Sequence, residues 1–295
     1  MDVNAFGATL EAIAGALDAG KIAFALTKLS TELACLRQRL HAPGWRVACE
    51  ALDRHPIMTL LMEDPIIRHA RATPSIGCAP PGLIELLVEG PERDVANHAA
   101  SPLGRALSAE TRNMALLRGL AERRRGTLRW INAQHEFAQA GTGCRHIVLG
   151  SGAMVARMVR TVGGAQRAAT AGPLERPSAF LLAEMVDGLP VARLLDLMRV
   201  LPSLLVPRGQ LLIGAIASDA PDLAWLEAVL TWQPIVRNER ILSQLAGLAL
   251  GPQVEAACWR DATRTIVFTE ITCKTRTAGT RHQPRVAARR ESVGH

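Results

Sequence analysis

Residues 147–159, IVLGSGAMVARMV, constrain the fold more than any other part of the chain. Three apolar residues lead into Gly150-Ser151-Gly152, and an apolar pattern with helical spacing follows. A strand that turns into a helix through glycine is typical of α/β folds, in which the backbone at the strand end lies close to a ligand. The segment therefore predicts a buried strand, a glycine turn and a helix over 153–160.

The segments on either side of this turn differ in pattern. The preceding chain has apolar residues at helical spacing, which predicts helices over 8–52, 82–88 and 101–140, with a loop over 73–81. The pair Ser101-Pro102 is a favourable helix start, because serine caps a helix and proline fits its first turn. After residue 145 strands and helices alternate: we expect a strand leaving the sheet at Asp187, a buried strand over 210–217, a mostly helical 220–247 and two strands in 254–274.

This order predicts an α/β protein with a doubly wound Rossmann-like sheet and one antiparallel edge, preceded by a helical N-terminal region. We expect three parts: a helical region over 1–140, the sheet domain over 141–274 and a basic, disordered tail over 275–295. The formal net charge of +7 is concentrated in the tail and in 141–180. The rest of the chain is slightly acidic and aromatic residues are few, so nucleic-acid binding ranks last among the functions considered.

Several other classes of protein are disfavoured by composition. The first residues lack the basic start of a signal peptide, and no apolar run reaches the roughly 18 residues that a membrane span needs, so we expect a cytoplasmic protein without stable membrane insertion. The six cysteines form no C-x-x-C pair, and the eight histidines show no metal-binding spacing. We therefore expect no metal.

Four stretches resemble a known family: EDPIIRHARATPSIGCAPPGLIELL, SPLGRALSAETRNMALLRGLAERRRGTL, LLVPRGQLLIGAIASDAPDLAWLEAVLTWQPIVRNER and RDATRTIVFTEI, together spanning roughly residues 60–272. They are similar to class I S-adenosylmethionine-dependent methyltransferases. The subgroup that they most resemble is the 3-hydroxypalmitic acid methyl ester biosynthesis proteins, which make a quorum-sensing signal. The resemblance implies a methyltransferase fold and S-adenosyl-L-methionine as the cofactor.

The chain departs from this subgroup in two places. The loop over 76–82 lacks the subgroup's tyrosine and acidic residue. The interval from the glycine turn to the next strand is about half of what such a methyltransferase uses for two more strands and a helix. Two explanations stay open: this member has lost part of its donor pocket, or the recorded reading frame slips within 141–180.

The resemblance assigns roles to residues at the strand ends. Gly150 and Gly152 would let the backbone approach the methionine part of the donor without a side-chain clash. A carboxylate about 20 residues further on would accept hydrogen bonds from the ribose hydroxyls, as in dinucleotide folds. Glu175 and Asp187 are the candidates, with Asp187 ranked first because it occupies the position of the subgroup's strand-end aspartate. Glu184 ends the same strand and could also face the donor.

The implied acceptor is a small-molecule hydroxy fatty acid or its acyl derivative, methylated on its carboxylate. An arginine could hold that acid, and Arg68, Arg71 and the run Arg123-Arg124-Arg125, Arg124 in particular, are the candidates. The leucine-rich helices before residue 145 could form an apolar slot for the acyl chain. The residue pattern leaves acyl chain length and oligomeric state open.

Two alternatives accompany this interpretation. The chain could be a non-catalytic relative that keeps the methyltransferase fold and acts in regulation. It could also be a hydrolase with Ser151 as nucleophile, although Gly150-Ser151-Gly152 lacks the Gly-x-Ser-x-Gly spacing of a nucleophile elbow.

Overall fold

The computed structural model describes residues 3–89, 99–138, 146–148, 179–182, 184–205, 209–250 and 254–273. The first part of the chain is helical, with a two-residue strand β1 (Ser75–Ile76) within it. Its helices are α1 (Val3–Asp18), α2 (Ile22–Arg39), α3 (Ala42–Arg54), α4 (Ile57–Leu61), α5 (Pro65–Ala72), α6 (Leu83–Glu89), α7 (Pro102–Asn113) and α8 (Ala115–Ala138).

The second part alternates strands and helices. Its strands are β2 (His146–Val148), β3 (Ala179–Leu182), β4 (Gln210–Ile216), β5 (Trp232–Gln233), β6 (Val254–Arg260) and β7 (Ile266–Cys273). Between them lie a 3₁₀ helix (Glu184–Gly188), α9 (Val191–Leu204), α10 (Leu223–Ala228) and α11 (Glu239–Leu250). The expected mixture of helices and strands is therefore confirmed.

Apolar stripes and caps explain the helices. In α1 the buried residues Phe6, Leu10, Ile13 and Leu17 recur every three or four positions and face the core. The predicted start of α7 is confirmed, because Ser101 Oγ accepts a hydrogen bond from the Gly104 N–H at 2.9 Å.

The main sheet has the strand order β2-β3-β4-β7-β6. Strands β2, β3 and β4 are parallel, with His146 opposite Ala179 and Ala179 opposite Gln210. Strand β7 runs antiparallel to both β4 and β6, so β6 is parallel to β4. Helix α11 packs on the β6–β7 hairpin, and α8 also contacts β7. The carboxyl ends of β2, β3 and β4 therefore lie at one edge of the sheet, which we call the carboxyl edge.

Three expectations need correction. The antiparallel strand is β7, and it lies between two others rather than at the edge, which β6 occupies. The strand expected to reach Asp187 ends at Leu182, and Asp187 lies in the 3₁₀ helix that follows. The mostly helical 220–247 is interrupted by β5, which pairs with β1 in a separate two-stranded sheet. The division of the chain at residue 140 stays a prediction, and the tail over 275–295 lies outside the described residues.

Gly104 offers a test of the packing between α7 and the segment before α5. A Cβ built on Gly104 would overlap the backbone carbonyl oxygen of Glu63, whereas a Cβ on Gly15 in α1 meets nothing within 4 Å. We expect Gly104→Ala to lower the free energy of unfolding by about 1–3 kcal/mol, because the overlap outweighs alanine's better helix propensity. Gly15→Ala should raise it by about 0.5–1 kcal/mol. Urea denaturation of both variants checks this, and equal effects would contradict it.

Asp64 caps α5 by accepting the Ile66 N–H at 2.8 Å, and its side chain is fully buried. Burial raises the pKa of Asp64 from 3.8 to about 6. The folded state therefore binds the proton more tightly than the unfolded chain, and this group's contribution to stability falls as the pH rises from about 4 to about 6. Asp64→Asn keeps a capping oxygen but cannot ionise. We expect it to raise the free energy of unfolding by up to about 3 kcal/mol relative to the parent at pH 7, and by little at pH 4. A gain that is the same at both pH values in urea denaturation would refute this.

Candidate functional site

The carboxyl edge is organised around a buried ion pair. Arg123 of α8 and Asp187 of the 3₁₀ helix are both completely buried, and Nη1 of the arginine donates to Oδ2 of the carboxylate at 2.7 Å. The other oxygen, Oδ1, accepts the N–H of Ile216 at the end of β4 at 3.1 Å. The same Nη1 lies 3.3 Å from the carbonyl oxygen of Gly214. The pair therefore joins α8, the turn after β3 and the end of β4.

Burial and the ion pair have opposite effects on the Asp187 carboxyl. Burial raises the pKa of Asp187, while the Arg123 guanidinium opposes that change by stabilising the charged form. Among the described residues, Nε and Nη2 of Arg123 have no hydrogen-bond partner. Gly214 makes room for the arginine, because a Cβ there would lie 3.4 Å from Arg123 Cδ and 3.1 Å from the Phe268 ring.

A second buried arginine supports the same turn. Arg237 donates from Nη1 to the carbonyl oxygen of Val186 at 2.6 Å and from Nη2 to that of Leu189. Its own backbone N–H donates to Ile216, and the Ile235 N–H donates to the carbonyl of Asp187 at 2.7 Å. Burial lowers the pKa of Arg237, and the nearby Asp187 counteracts it. Arg237 and the Ile235 N–H thus bind backbone carbonyls of residues 184–189, the segment after β3 that we call the acidic turn.

The loop over 76–82 packs on this turn. Gly77 has φ +88°, and a Cβ built on it would lie 2.7 Å from Gly188 Cα, so glycine is required for both conformation and space. Its carbonyl accepts Trp232 Nε1 at 2.7 Å. Burial, and secondarily the charge of Asp187, raises the pKa of the Cys78 thiol. A raised pKa favours the protonated thiol, which is a weaker nucleophile than the thiolate.

Glu184 is the more accessible acid of the turn. Its side chain retains 17% of its exposure, whereas that of Asp187 retains none. Arg124 lies 3.3 Å from Glu184 and 3.9 Å from Glu85, so this arginine bridges the turn and α6. The carboxyl edge thus has a buried, paired acid below a partly exposed one.

The structure brings some of the predicted site residues together and leaves others apart. It brings Asp187, Glu184 and Arg124 to the carboxyl edge. Arg71 instead bonds Asp53 at 2.7 Å and the carbonyl of Val229 at 3.0 Å. Arg68 is exposed, without a side-chain partner among the described residues. Gly150, Gly152 and Glu175 lie outside the described residues, and all these binding roles stay predictions.

The sequence placed Arg123 among the candidates for holding the acid, but the structure buries it completely against Asp187, so it is not available to an acceptor. The position of Arg237 in this network was not predicted. A signal existed for Arg123, because it follows Leu116 and Leu120 at helical spacing on the buried stripe of α8. We found none for Arg237, whose partners are backbone carbonyls of distant segments. Among the residues that the structure describes, no three His, Cys, Asp or Glu side chains come together as a metal site, and no helix is long and apolar enough to cross a membrane.

No protein-family model and no curated protein matches the chain. Solved structures that are similar include a possible exported protein from Bordetella parapertussis, at 13% identity over 89% of this chain and 97% of that one, with a TM-score of 0.45. An O-methyltransferase family 2 protein from Planctomyces limnophilus is 14% identical over 92% and 96%, with a TM-score of 0.30. The O-methyltransferase NcsB1 from neocarzinostatin biosynthesis, solved with S-adenosyl-L-homocysteine, is 14% identical over 43% and 40%, with a TM-score of 0.28. With TM-scores below 0.5, these similarities carry no conclusion about the function of the chain.

The Arg123–Asp187 pair can be tested against a surface pair on the same helix. Arg123→Met leaves a buried carboxylate without its partner, and we expect it to lower the free energy of unfolding by about 3–5 kcal/mol. Arg125→Gln breaks an exposed pair with Glu122 and should cost at most about 1 kcal/mol. Urea denaturation at neutral pH measures both, and similar losses would show that the buried pair does not hold the edge.

Proposed function

We propose that the chain is an S-adenosylmethionine-dependent methyltransferase that methylates the carboxylate of a 3-hydroxy fatty acid. The product would be a methyl ester signal of the 3-hydroxypalmitic acid methyl ester type, used in quorum sensing and virulence regulation. The observation that carries this proposal is the parallel pairing of β2 with β3. Because parallel neighbours end at the same edge, β2 ends at Val148, two residues before Gly150 in sequence, beside the end of β3 at Leu182, two residues before Glu184. Ligands of open α/β sheets bind at that edge.

The acidic turn has a group suited to the donor. Glu184 is paired with Arg124 but partly exposed, so its carboxylate could accept hydrogen bonds from the ribose hydroxyls, whereas Asp187 is completely buried. Gly150 and Gly152 would accommodate the methionine part, and Glu175 remains a candidate from the sequence. When bound, the donor supplies a methyl group made electrophilic by its sulfonium. The protein residues need only position the acceptor, because a carboxylate is already a nucleophile and in-line placement provides most of the acceleration.

Arginines differ in their availability to hold the acid. Arg71 is engaged by Asp53 and a backbone carbonyl, whereas Arg124 is shared between two partly exposed glutamates. Arg68 is exposed without a described side-chain partner. Pairing therefore favours Arg68 as the acceptor ligand, and Arg71, which has the shortest contacts, is the least available of the three.

One observation favours the alternative, a non-catalytic regulatory protein with a methyltransferase fold. Both oxygens of Asp187 are occupied by protein donors, and neither Asp187 nor Arg123 has exposed surface. An edge closed by its own ion pair would keep the fold without needing the donor.

Calorimetric titration of the full chain with S-adenosylmethionine separates the two proposals. The enzyme should release or absorb heat on binding at donor concentrations up to millimolar. We expect Glu184→Gln to weaken donor binding about tenfold, because a charged acceptor of hydrogen bonds is lost. Glu50→Gln, a matched change at an exposed glutamate paired with Arg54 on α3, should leave the affinity unchanged. No heat with the parent chain would overturn the enzyme proposal and favour the regulatory one.

The acceptor is tested separately by disrupting the gene and measuring secreted lipids by mass spectrometry. Loss of a fatty acid methyl ester supports the proposed product. Unchanged methyl ester levels, in a strain whose protein binds the donor, would leave a methyltransferase with a different acceptor.

A further inference from the structure

We propose that a cavity of about 750 Å³ between α8 and the β6–β7 hairpin binds an amphipathic organic acid, with an apolar body and one anionic headgroup. A volume of this size is within the range of small-molecule sites, which are roughly 300–1,000 Å³. The cavity is separate from the Arg123–Asp187 pair, which does not line it. The proposal goes beyond the proposed function, because neither Arg68 nor Arg124, the acceptor candidates named there, lines this cavity.

One wall of the cavity is apolar. The sheet contributes Leu212, Trp259 and Phe268, and α8 contributes Leu117 and Ala121. Trp259 and Phe268 are opposite each other in the β6–β7 register, and their rings stack with centroids 5.6 Å apart. Trp259 nevertheless keeps 40% of its surface exposed. A large aromatic surface open to a cavity is available to cover the body of a ligand.

The charged rim of the cavity has an excess of arginine. Arg125 and Arg129 both pair with Glu122, at 2.8 and 3.4 Å. Asp261 is occupied within its own turn, where it accepts the N–H groups of Thr263 and Ile266. The two acids at the rim are therefore already neutralised or bonded.

Arg112 also lines the cavity, and its Nη1 donates to the carbonyl oxygen of Leu86. Arg118 is the remaining arginine of the rim. It lines the cavity, is exposed, and has no hydrogen-bond or ion-pair partner for its side chain among the described residues. A guanidinium binds a carboxylate bidentately where geometry permits. One unpaired guanidinium beside an aromatic and aliphatic wall matches a single headgroup on an apolar body, rather than the several phosphates of a nucleotide.

Fluorescence titration with dansyl-labelled undecanoic acid tests the proposal, with the methyl ester of the same probe as the uncharged control. The parent chain should bind the acid at least about tenfold more tightly than the ester. Arg118→Gln should weaken acid binding about tenfold and change ester binding little. Arg193→Gln removes an exposed arginine from α9, outside the cavity, and should change neither. Trp259→Ala, which removes part of the wall, should weaken both probes roughly fivefold.

Equal affinities of the parent chain for acid and ester would overturn the proposal, as would an equal loss in Arg118→Gln and Arg193→Gln. The titration needs no methyl donor, so its failure is distinct from that of the methyltransferase proposal. If the chain binds the acid but gives no heat with S-adenosylmethionine, the cavity proposal is supported and the methyltransferase proposal is overturned. A chain that binds the donor but shows no preference for the acid removes the cavity proposal alone.

Discussion

The buried contact between Arg123 and Asp187 is the interaction on which the arrangement of the carboxyl edge depends. It connects a helix of the first part of the chain to a turn 64 residues later, and through Ile216 and Gly214 it also reaches β4. Removing two charges from water is costly, and a hydrophobic pair of similar volume is often at least as stable. Its value is therefore in fixing one arrangement, because neither charge can be buried without the other in place.

This contact requires α8 to lie very close to the sheet, and small residues make that approach possible. A Cβ on Gly119 would overlap Thr265 Oγ1, and one on Gly214 would press on Arg123 and Phe268. Glycine in a helix interior lowers helix stability by about 1 kcal/mol relative to alanine. At Gly119 the close packing against the sheet offsets this cost. Residues with low helix propensity therefore lie where α8 contacts the sheet.

Much of the fold was predictable because it follows from local patterns. The buried run Gln210–Ile216 and the Ser101 cap were both recognisable in the sequence. The place of the antiparallel strand was predicted wrongly, because the sequence of a hairpin does not show which of its two strands is the outer one. The end of β3 was misjudged because apolar residues continue into the 3₁₀ helix.

The candidate site was less predictable, because the role of an arginine depends on a partner that is distant in the chain. Arg37 bonds Glu227, Arg71 bonds Asp53, and Arg260 bonds both Asp219 and Glu239. None of these pairs has the three- or four-residue spacing that a helical pattern reveals. Position in a motif ranked Arg71 with Arg68, yet only the fold shows that Arg71 already has a carboxylate. An unpaired arginine such as Arg118 is also recognised only from the fold, which brings no carboxylate to its side chain among the described residues. The absence of such a partner makes Arg118 available to a ligand.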